Sequence, residues 1–298
     1  MTTAMPGSGR AVETLIGYLS TKRLLGATVA ADPRPREVPE VASAPRPDGR
    51  VAVVTGGTRG VGAGIARAFL RAGTDVVVCA RRPPEHPVAA DGRTARFLPV
   101  DLREPAAVDA FFDRVAGDHG RLDVLVNNAG GTPHRRLDEA EPERHLRVIA
   151  LNLGAALTAS LAAHRLMCAQ RGGGCILMVG SVSGTRPSPG TAAYGAAKAG
   201  LENLARTMAV EWAPAVRVNT LVLGMVRTES AHLHYGDEHG VAAVARTVPA
   251  GRLAEPDEVG EAAVFLASDR AAYITGAGLL VHGGGERPAF LDASRSVE

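Results

Sequence analysis

Residues 51–73 read VAVVTGGTRGVGAGIARAFLRAG and change character twice. VAVVT is apolar throughout, as expected for a strand buried on both faces of a sheet. GAGIARAFLRAG, which ends at Gly73, has the apolar spacing of a helix. Gly56, Gly60 and Gly62 lie between the two segments. Glycines there allow a tight turn and a close approach of the backbone to a phosphate, whose charge a helix N-terminus stabilises. The stretch predicts a nucleotide site, although glycines also form ordinary turns.

The rest of the chain continues this alternation. Further strands are predicted at DVVVCAR, FLPVDL, LDVLVNNAG, CILMVGSVS, VRVNTLVLG and GLLVHGG, with helices between them such as AAVDAFFDRVAGDHG and GLENLARTMAVEWA. Apolar strands that alternate with helices predict an α/β fold, a single doubly wound parallel sheet (Rossmann fold) with helices on both faces. A ligand of such a fold binds at the carboxyl ends of the strands.

The chain divides into three parts by composition. Residues 1–49 form an N-terminal extension, with a short amphipathic helix predicted over residues 10–25 and a linker rich in proline and charge after it. We expect that helix to dock on the main domain or on a neighbouring subunit. Residues 50–285 hold the α/β pattern and form the predicted catalytic domain, and residues 286–298 form a C-terminal tail.

Composition narrows the class of protein. The chain is 46% hydrophobic and 21% charged, which is ordinary for a soluble protein, and its net charge of +2 gives no reason to expect nucleic acid or an anionic membrane as a partner. The sequence suggests no apolar run near the roughly 18 residues of a membrane span. Cys79, Cys168 and Cys175 lack metal-ligand spacing and suggest reduced thiols in a cytoplasmic protein.

Arginines follow the second predicted strand. An acidic residue at that position of a dinucleotide fold binds the adenosine ribose and repels a 2′-phosphate, whereas arginine favours the phosphate. The chain has Arg81 and Arg82 there, no acid before Glu85, and Arg59 inside the glycine turn. These residues favour NADP(H) over NAD(H). Solvated surface arginines are the alternative interpretation.

Several short motifs together resemble one enzyme family. TGGTRGVG at 55–62 matches the pattern TGxxxGxG, NNAG at 127–130 matches a structural motif after the fourth strand, and Ser181 precedes YGAAK at 194–198, which matches YxxxK. Over about residues 50–285 the chain is similar to a short-chain dehydrogenase/reductase of the simple, roughly 250-residue kind. The resemblance implies catalytic roles for Asn152, Ser181, Tyr194 and Lys198.

The chemistry of carbonyl reduction makes the same demands on these side chains. Lys198 is one of only two lysines in the chain, and on a helix it shares a face with Tyr194. Its ammonium is expected to lower the phenol pKa from about 10. Ser181 would donate to the substrate oxygen, and Asn152 would hold a water that links Lys198 to solvent. Singly, the tyrosine could be a half-buried aromatic, the serine a turn residue and the asparagine a polar group inside a helix.

The resemblance also implies the contacts of an NADP(H) cofactor. They come from the glycine loop, the end of the second strand, VDL, NNAG, the Tyr–Lys pair and LGMVRT: Gly56, Thr58, Arg59, Gly60, Val61, Gly62, Arg81, Arg82, Asp101, Leu102, Asn128, Gly130, Tyr194, Lys198, Val226 and Thr228. Two positions depart from the family pattern. Leu223 stands where proline is usual, which suggests a less rigid backbone at the nicotinamide end, and His282 stands where aspartate is common.

These features predict an NADPH-dependent oxidoreductase that reduces a ketone to a secondary alcohol, reversibly. One alternative is a reductase of 3-oxoacyl thioesters on a carrier protein, which Arg135, Arg136, Arg144 and Arg147 could receive; another is an NADP-binding scaffold without turnover. The segment after Gly224 is expected to cover a small carbonyl or alcohol substrate. Its histidines at 232, 234 and 239 show no metal-ligand spacing, so no metal is predicted. By resemblance the enzyme is a homodimer or homotetramer.

Overall fold

A parallel seven-stranded sheet forms the centre of the catalytic domain. The computed structural model describes residues 49–286 and Pro288, without the side chains of Leu233 and His234. The predicted helix over 10–25, the linker and most of the C-terminal tail lie outside the described residues. The strands are β1 Val51–Thr55, β2 Asp75–Ala80, the hairpin β3 Ala89–Ala90 and β4 Arg93–Thr94, β5 Arg96–Pro99, β6 Val124–Asn127, β7 Gly174–Ser181, β8 Val216–Leu223 and β9 Gly278–Val281.

The helices cover both faces of this sheet, which confirms the predicted fold. They are α1 Gly60–Arg71, α2 Pro105–His119, α3 Pro142–Ile149, α4 Ala155–Ala169, α5 Ala192–Trp212, α6 His232–Tyr235, α7 Glu238–Thr247 and α8 Pro256–Ala267. Side chains of one strand alternate between two cores, because successive residues point to opposite faces. Val51 and Val53 pack with α2, α4 and α5, whereas Ala52 and Val54 pack with α1 and α8.

The strand order decides where a ligand can bind. It runs β5-β2-β1-β6-β7-β8-β9, so the chain moves outward in one direction from β1 to β5 and then returns to β6 on the other side of β1. The segments that leave β1 and β6 therefore diverge, and a crevice opens between them at the carboxyl ends of the strands. The glycine loop follows β1, and NNAG spans the end of β6.

One helix is longer and more apolar than the sequence suggested. A π-helical turn, Ala150–Gly154, joins α3 and α4 into one continuous helix over Pro142–Ala169. By length and composition alone this helix could cross a membrane, since an 18-residue stretch of it has a mean hydropathy of 1.6. Its alanines at 155, 159 and 163 and Met167 are buried in the core beneath the sheet. A helix in the core of a soluble protein meets the same criterion, and 39% of the apolar stretch of this helix is buried.

Two glycines let α1 and α8 pack with their backbones in contact. A Cβ atom on Gly64 would lie 2.4 Å from the Pro256 carbonyl, and one on Gly260 would lie 2.6 Å from Ala68 Cβ and 2.7 Å from the Gly64 oxygen. Two ion pairs reinforce this contact at the surface, since Asp257 accepts hydrogen bonds from Arg67 and Arg71. The start of α1, which carries the glycine loop, is thereby held against the sheet.

We expect Gly260→Ala to lower the free energy of unfolding by about 1–3 kcal/mol, because the added methyl meets backbone that cannot move independently. Gly117→Ala is the matched control: Gly117 is an exposed helical glycine in α2 with no atom within 4 Å of the added Cβ. The free energy of unfolding of Gly117→Ala should be about 0.5–1 kcal/mol higher than that of wild type. Urea denaturation of both variants measures the difference, and a Gly260→Ala protein as stable as wild type would contradict the close packing.

Candidate active site

One groove of about 1010 Å³ runs along the carboxyl ends of the strands. It brings together segments that are up to about 180 residues apart in sequence, from Gly56 in the glycine loop to Tyr235 in the segment after β8. Most of the predicted site residues line it: Gly56, Thr58, Arg59, Gly60, Val61, Gly62, Arg81, Asp101, Leu102, Asn128, Gly130, Ser181, Tyr194, Lys198, Val226 and Thr228. Arg82 and Asn152 do not line the groove.

The glycine loop is tied to the end of β6. Asn128 Nδ2 donates to the carbonyls of Thr55 at 2.8 Å and Gly56 at 3.1 Å. A Cβ on Gly62 would lie 2.4 Å from both that Nδ2 and the Gly56 oxygen, and Gly56 has φ +61°, so glycine is required at both positions. The loop therefore presents bare backbone, and its helix N-terminus carries no acidic residue in the first turn. These features fit a pyrophosphate group.

Of the arginines predicted to hold a 2′-phosphate, Arg59 and Arg81 line the groove. Neither guanidinium has a hydrogen bond or ion pair to another residue among those the structure describes. The charge of Arg81 acts on Asp101, where it contributes to a lowered carboxyl pKa. Arg82 is exposed and stands outside the wall of the groove, so the structure separates two adjacent arginines that the sequence treated alike.

A third arginine at this end of the groove was not predicted. Arg103 Nε donates to Asp101 Oδ1 at 2.9 Å and its Nη2 to Oδ2 at 2.5 Å, and its backbone N–H donates to Oδ1 at 3.1 Å. These hydrogen bonds, those of the side chain first, hold the pKa of the Asp101 carboxyl at about 2. The position of Arg103 two residues after Asp101 was the feature of the sequence that could have predicted this pair. The pair gives the carboxylate a defined orientation in the groove wall.

Lys198 is buried next to Tyr194, and both residues lie on α5. Its Nζ donates to the Val179 carbonyl at 2.7 Å and lies 5.4 Å from the centroid of the Tyr194 ring. Only 4% of the lysine is exposed. Burial lowers the pKa of the Lys198 ammonium to about 8, because a low-dielectric environment disfavours the charged form.

The expectation that Lys198 lowers the pKa of Tyr194 is wrong for this structure. Burial raises the phenol pKa above its ordinary value, and a hydrogen bond with Ser181 opposes this only in part. The nearby phenol of Tyr235 raises the Tyr194 pKa further. The Lys198 ammonium faces the Tyr194 ring and donates its hydrogen bond to the Val179 carbonyl of β7. It therefore does not offset the effect of burial on the phenol pKa. The Ser181 hydroxyl accepts from Ser183 N at 3.2 Å and lines the same groove as Tyr194.

The amide of Asn152 is engaged by backbone. Its Nδ2 donates to the carbonyls of Gly131 and Val148, each at 2.9 Å, and its Oδ1 accepts from Gly131 N at 2.9 Å. Both amide protons are used, so the side chain positions the turn at Gly130 and Gly131. A Cβ on Gly130 would lie 2.4 Å from Asn152 Oδ1 and 3.6 Å from Lys198 Nζ. Asn152 thereby shapes the wall beside the lysine.

The two departures from the family pattern lie close together. A Cβ on Gly224 would lie 2.7 Å from His282 Cβ, and Gly224 N donates to the Val281 carbonyl at 3.0 Å. Leu223 pairs with Val281 in the sheet. Strand pairing therefore holds this backbone where the family uses proline, and the expected loss of rigidity is countered by β9. Val226 is held in turn by a parallel bridge to Ala254.

The far end of the groove is polar and partly covered by the segment after β8. Tyr235 lines it and its hydroxyl donates to Met225 Sδ at 3.1 Å, while Arg186 forms an ion pair with Glu286. Burial raises the pKa of Tyr235. His232 lies outside the groove wall, with Nδ1 3.0 Å from the Glu229 carbonyl. In the described part of the chain, no three His, Cys, Asp or Glu side chains converge in a way that could hold a metal ion.

The lowered pKa of Lys198 predicts a pH-dependent stability. Above about pH 8 the folded chain releases this proton while the unfolded chain keeps it up to about pH 10.5, so this group makes the folded state more stable as pH rises. Between about pH 7.5 and pH 9.5, the free energy of unfolding of wild type should therefore rise by about 2 kcal/mol relative to that of Lys198→Met. Urea denaturation of both proteins at each pH measures this gain. A constant difference would show that Lys198 titrates normally.

Comparison with known proteins agrees with this geometry. A family model described as enoyl-(acyl carrier protein) reductase matches residues 56–286. An uncharacterised oxidoreductase of Mycobacterium tuberculosis is 36% identical over 244 residues, covering 80% of this chain and 93% of that protein. The 3-oxoacyl-[acyl-carrier-protein] reductase FabG of Escherichia coli is 35% identical over 240 residues, covering 80% of this chain and 97% of FabG.

A solved structure shows the same architecture. The ligand-free aldohexose dehydrogenase of Thermoplasma acidophilum superposes with a TM-score of 0.76 at 26% identity, covering 86% of this chain and 99% of that one. The match extends over the part of the chain that carries the glycine loop and the Tyr–Lys pair. With a family model that spans most of the chain and close relatives of nearly full length, this protein belongs to the short-chain dehydrogenase/reductase family, enzymes that act on CH–OH groups.

Proposed function

We propose that the protein is an NADPH-dependent reductase that converts a ketone to a secondary alcohol and runs the reverse oxidation when the alcohol is in excess. The observation that carries this proposal is the contact of Tyr194 with the buried Lys198, whose Nζ lies 5.4 Å from the ring centroid, in the same groove as Ser181 and the glycine loop. A proton donor and a phosphate-binding loop in one groove are the two parts that nicotinamide-dependent carbonyl reduction requires.

The residues present fit a nicotinamide dinucleotide. The bare backbone at Gly56, Gly60 and Gly62 would hold its pyrophosphate, and Asp101 with Leu102 would contact its adenine end. When bound, the cofactor supplies the hydride that reduces the carbonyl carbon. Val226 and Thr228, in the segment after β8, line the same groove and would hold its carboxamide.

The chain's own groups supply the proton. Because burial keeps the pKa of Tyr194 above its ordinary value, the phenol remains protonated at neutral pH and can donate to a carbonyl oxygen. The Ser181 hydroxyl lines the same groove and would donate to the same oxygen. Lys198, with a pKa of about 8, is protonated at neutral pH and can stabilise the phenolate left after the transfer.

The preference for NADPH rests on Arg59 and Arg81. Both line the groove, from different loops, and neither has a partner among the described residues. The residues that follow β2 include no acid before Glu85, so nothing at this position repels a 2′-phosphate. An unpaired guanidinium in a binding groove gains more from an anionic ligand than one already neutralised by a carboxylate.

A second candidate function is reduction of a 3-oxoacyl thioester on a carrier protein. Arg144 and Arg147, on α3, line the groove and have no side-chain partner in the described part of the chain. They could receive an acidic carrier, and the E. coli relative is named as such a reductase. A steady-state comparison of a carrier-bound substrate with the same acyl group on pantetheine separates the two functions. Much higher kcat/KM on the carrier favours the second.

The surface supports a homo-oligomer, dimer or tetramer. Val210 on α5 is 82% exposed, and Leu157 and Leu161 on α4 are exposed as well. Burying such residues against a second copy would remove apolar surface from water. We place the enzyme in the cytoplasm, since all three cysteines are free. A scaffold without turnover is the remaining alternative and predicts binding of NADPH without oxidation by any ketone.

Tyr194→Phe tests the proton donor. Losing the phenol hydroxyl should lower kcat about 10²- to 10⁴-fold while NADPH still binds, because only the proton transfer is removed. Tyr273→Phe is the control, since Tyr273 is fully exposed and outside the groove. Ketone-dependent oxidation of NADPH and a fluorescence titration of NADPH give the two readouts. Substantial turnover by Tyr194→Phe would remove this tyrosine from the proton-donor role.

Arg81→Asp tests the cofactor preference. The change should weaken NADPH binding about 10- to 100-fold and shift the preference toward NADH, since a charge-assisted contact is replaced by repulsion. Arg82→Asp introduces the same charge one residue away, outside the groove, and should have little effect. Dissociation constants for both cofactors, measured by nicotinamide fluorescence, check this pair. Equal effects of the two substitutions would contradict the assignment of Arg81.

A further inference from the structure

A carboxylate from a distant segment sits on the N-terminus of the glycine-loop helix. Glu229, which follows β8, accepts hydrogen bonds from the Gly60 N–H with both oxygens, at 3.1 Å and 3.4 Å. Gly60 is the first residue of α1. Both residues line the cofactor groove. A donor that the fold offers to a phosphate is therefore engaged by a side chain of the protein.

The charge of α1 makes this contact specific to an anion. The first turn of α1 contains no acidic residue, and its N-cap residue, Arg59, makes no side-chain cap. A helix N-terminus carries partial positive charge, which negative groups stabilise. Glu229 supplies that negative charge from 169 residues away in sequence. The carboxylate thus occupies a position that suits an oxyanion.

Other acids nearby are used differently. Glu238, nine residues later, pairs with Arg227 at 3.1 Å, and Glu286 pairs with Arg186. Glu229 makes no ion pair within the described residues. Its segment is held locally, since Ala231 N donates to the Thr228 carbonyl at 2.9 Å and His232 Nδ1 lies 3.0 Å from the Glu229 carbonyl. The side chain is exposed, so it can leave Gly60 without unfolding this turn.

We propose that Glu229 sets the affinity of the enzyme for its cofactor by competing with the pyrophosphate for the Gly60 N–H. A dinucleotide must displace the carboxylate to bind, and the carboxylate, once displaced, remains a negative charge close to the phosphates. Both effects weaken binding and hasten release of the spent cofactor. When a ligand binds only one conformation of a protein, its apparent dissociation constant is the intrinsic constant divided by the fraction of protein in that conformation.

The proposal rests on the proposed function only in that a nicotinamide dinucleotide binds in this groove. It does not depend on the choice between NADPH and NADH, because both carry the pyrophosphate. It also differs from a merely structural cap on α1. A cap would stabilise the folded protein and leave cofactor affinity unchanged.

Glu229→Gln tests the proposal because glutamine keeps the shape and removes the charge. We expect the dissociation constant for NADPH, measured by fluorescence titration, to fall roughly threefold to tenfold, with a matching decrease in the release rate in stopped-flow displacement. Glu238→Gln removes a carboxylate from the same segment and is the control, for which we expect no change. Adenosine 2′-monophosphate, which lacks the pyrophosphate, should bind Glu229→Gln and wild type equally in calorimetry.

The outcomes separate this inference from the proposed function. Tighter NADPH binding by Glu229→Gln alone, without a gain for adenosine 2′-monophosphate, supports competition at Gly60. An unchanged dissociation constant for NADPH, or an equal gain for both ligands, overturns it while leaving the reductase assignment intact. If wild type binds neither NADPH nor NADH, the proposed function and this inference both fail.

Discussion

The hydrogen bonds between the end of β1 and the end of β6 are the interaction on which the site depends. Thr55 is 1% exposed, and its hydroxyl accepts from the backbone N–H groups of Asn128 at 2.9 Å and Ala129 at 3.0 Å. Asn128 in turn binds the carbonyls of Thr55 and Gly56. Because the strand order reverses here, these contacts join the two segments whose divergence opens the groove. The glycine loop is held on one side of this junction and the wall beside Lys198 on the other.

Burial shifts the pKa values of Tyr194 and Lys198 in opposite directions. It raises the pKa of the Tyr194 phenol and lowers that of the Lys198 ammonium, because in each case the charged form loses hydration. At neutral pH the phenol is therefore neutral, and the ammonium keeps its charge with a pKa of about 8. Keeping the buried Lys198 charged costs free energy, and the hydrogen bond to the Val179 carbonyl offsets part of that cost.

Charged side chains divide by whether they are paired. Arg67, Arg71 and Arg252 form ion pairs with carboxylates on or beside α8, where they reinforce the packing of helices. The arginines without partners among the described residues include several that line the groove, Arg59 and Arg81 at one end and Arg144 and Arg147 at another. Glu229 is the acidic counterpart, bound to a backbone N–H instead of a cation. The unpaired guanidinium groups in the groove are available to bind anionic ligands.

Local features of the sequence determined the fold and the identity of the central residues. Strand and helix periods, the glycine turn after β1 and the four-residue spacing of Tyr194 and Lys198 are read within short windows, since backbone geometry places such residues without reference to the rest of the chain. The sequence did not determine which of the surrounding side chains face the groove. That Arg81 faces the groove and Arg82 does not was decided by the path of the chain after β2.

Tertiary structure also decided the pKa values and the partners of the polar groups. The raised pKa of Tyr194 follows from burial by distant elements, which no spacing in sequence reports. The use of the Asn152 amide by Gly131 and Val148 depends on a π-helical turn that meets the segment after β6. The contact of Glu229 with Gly60 joins residues 169 positions apart. Sequence determined which chemical groups this protein has, and the fold decided which of them meet, because hydration and long-range contacts exist only once the chain has packed.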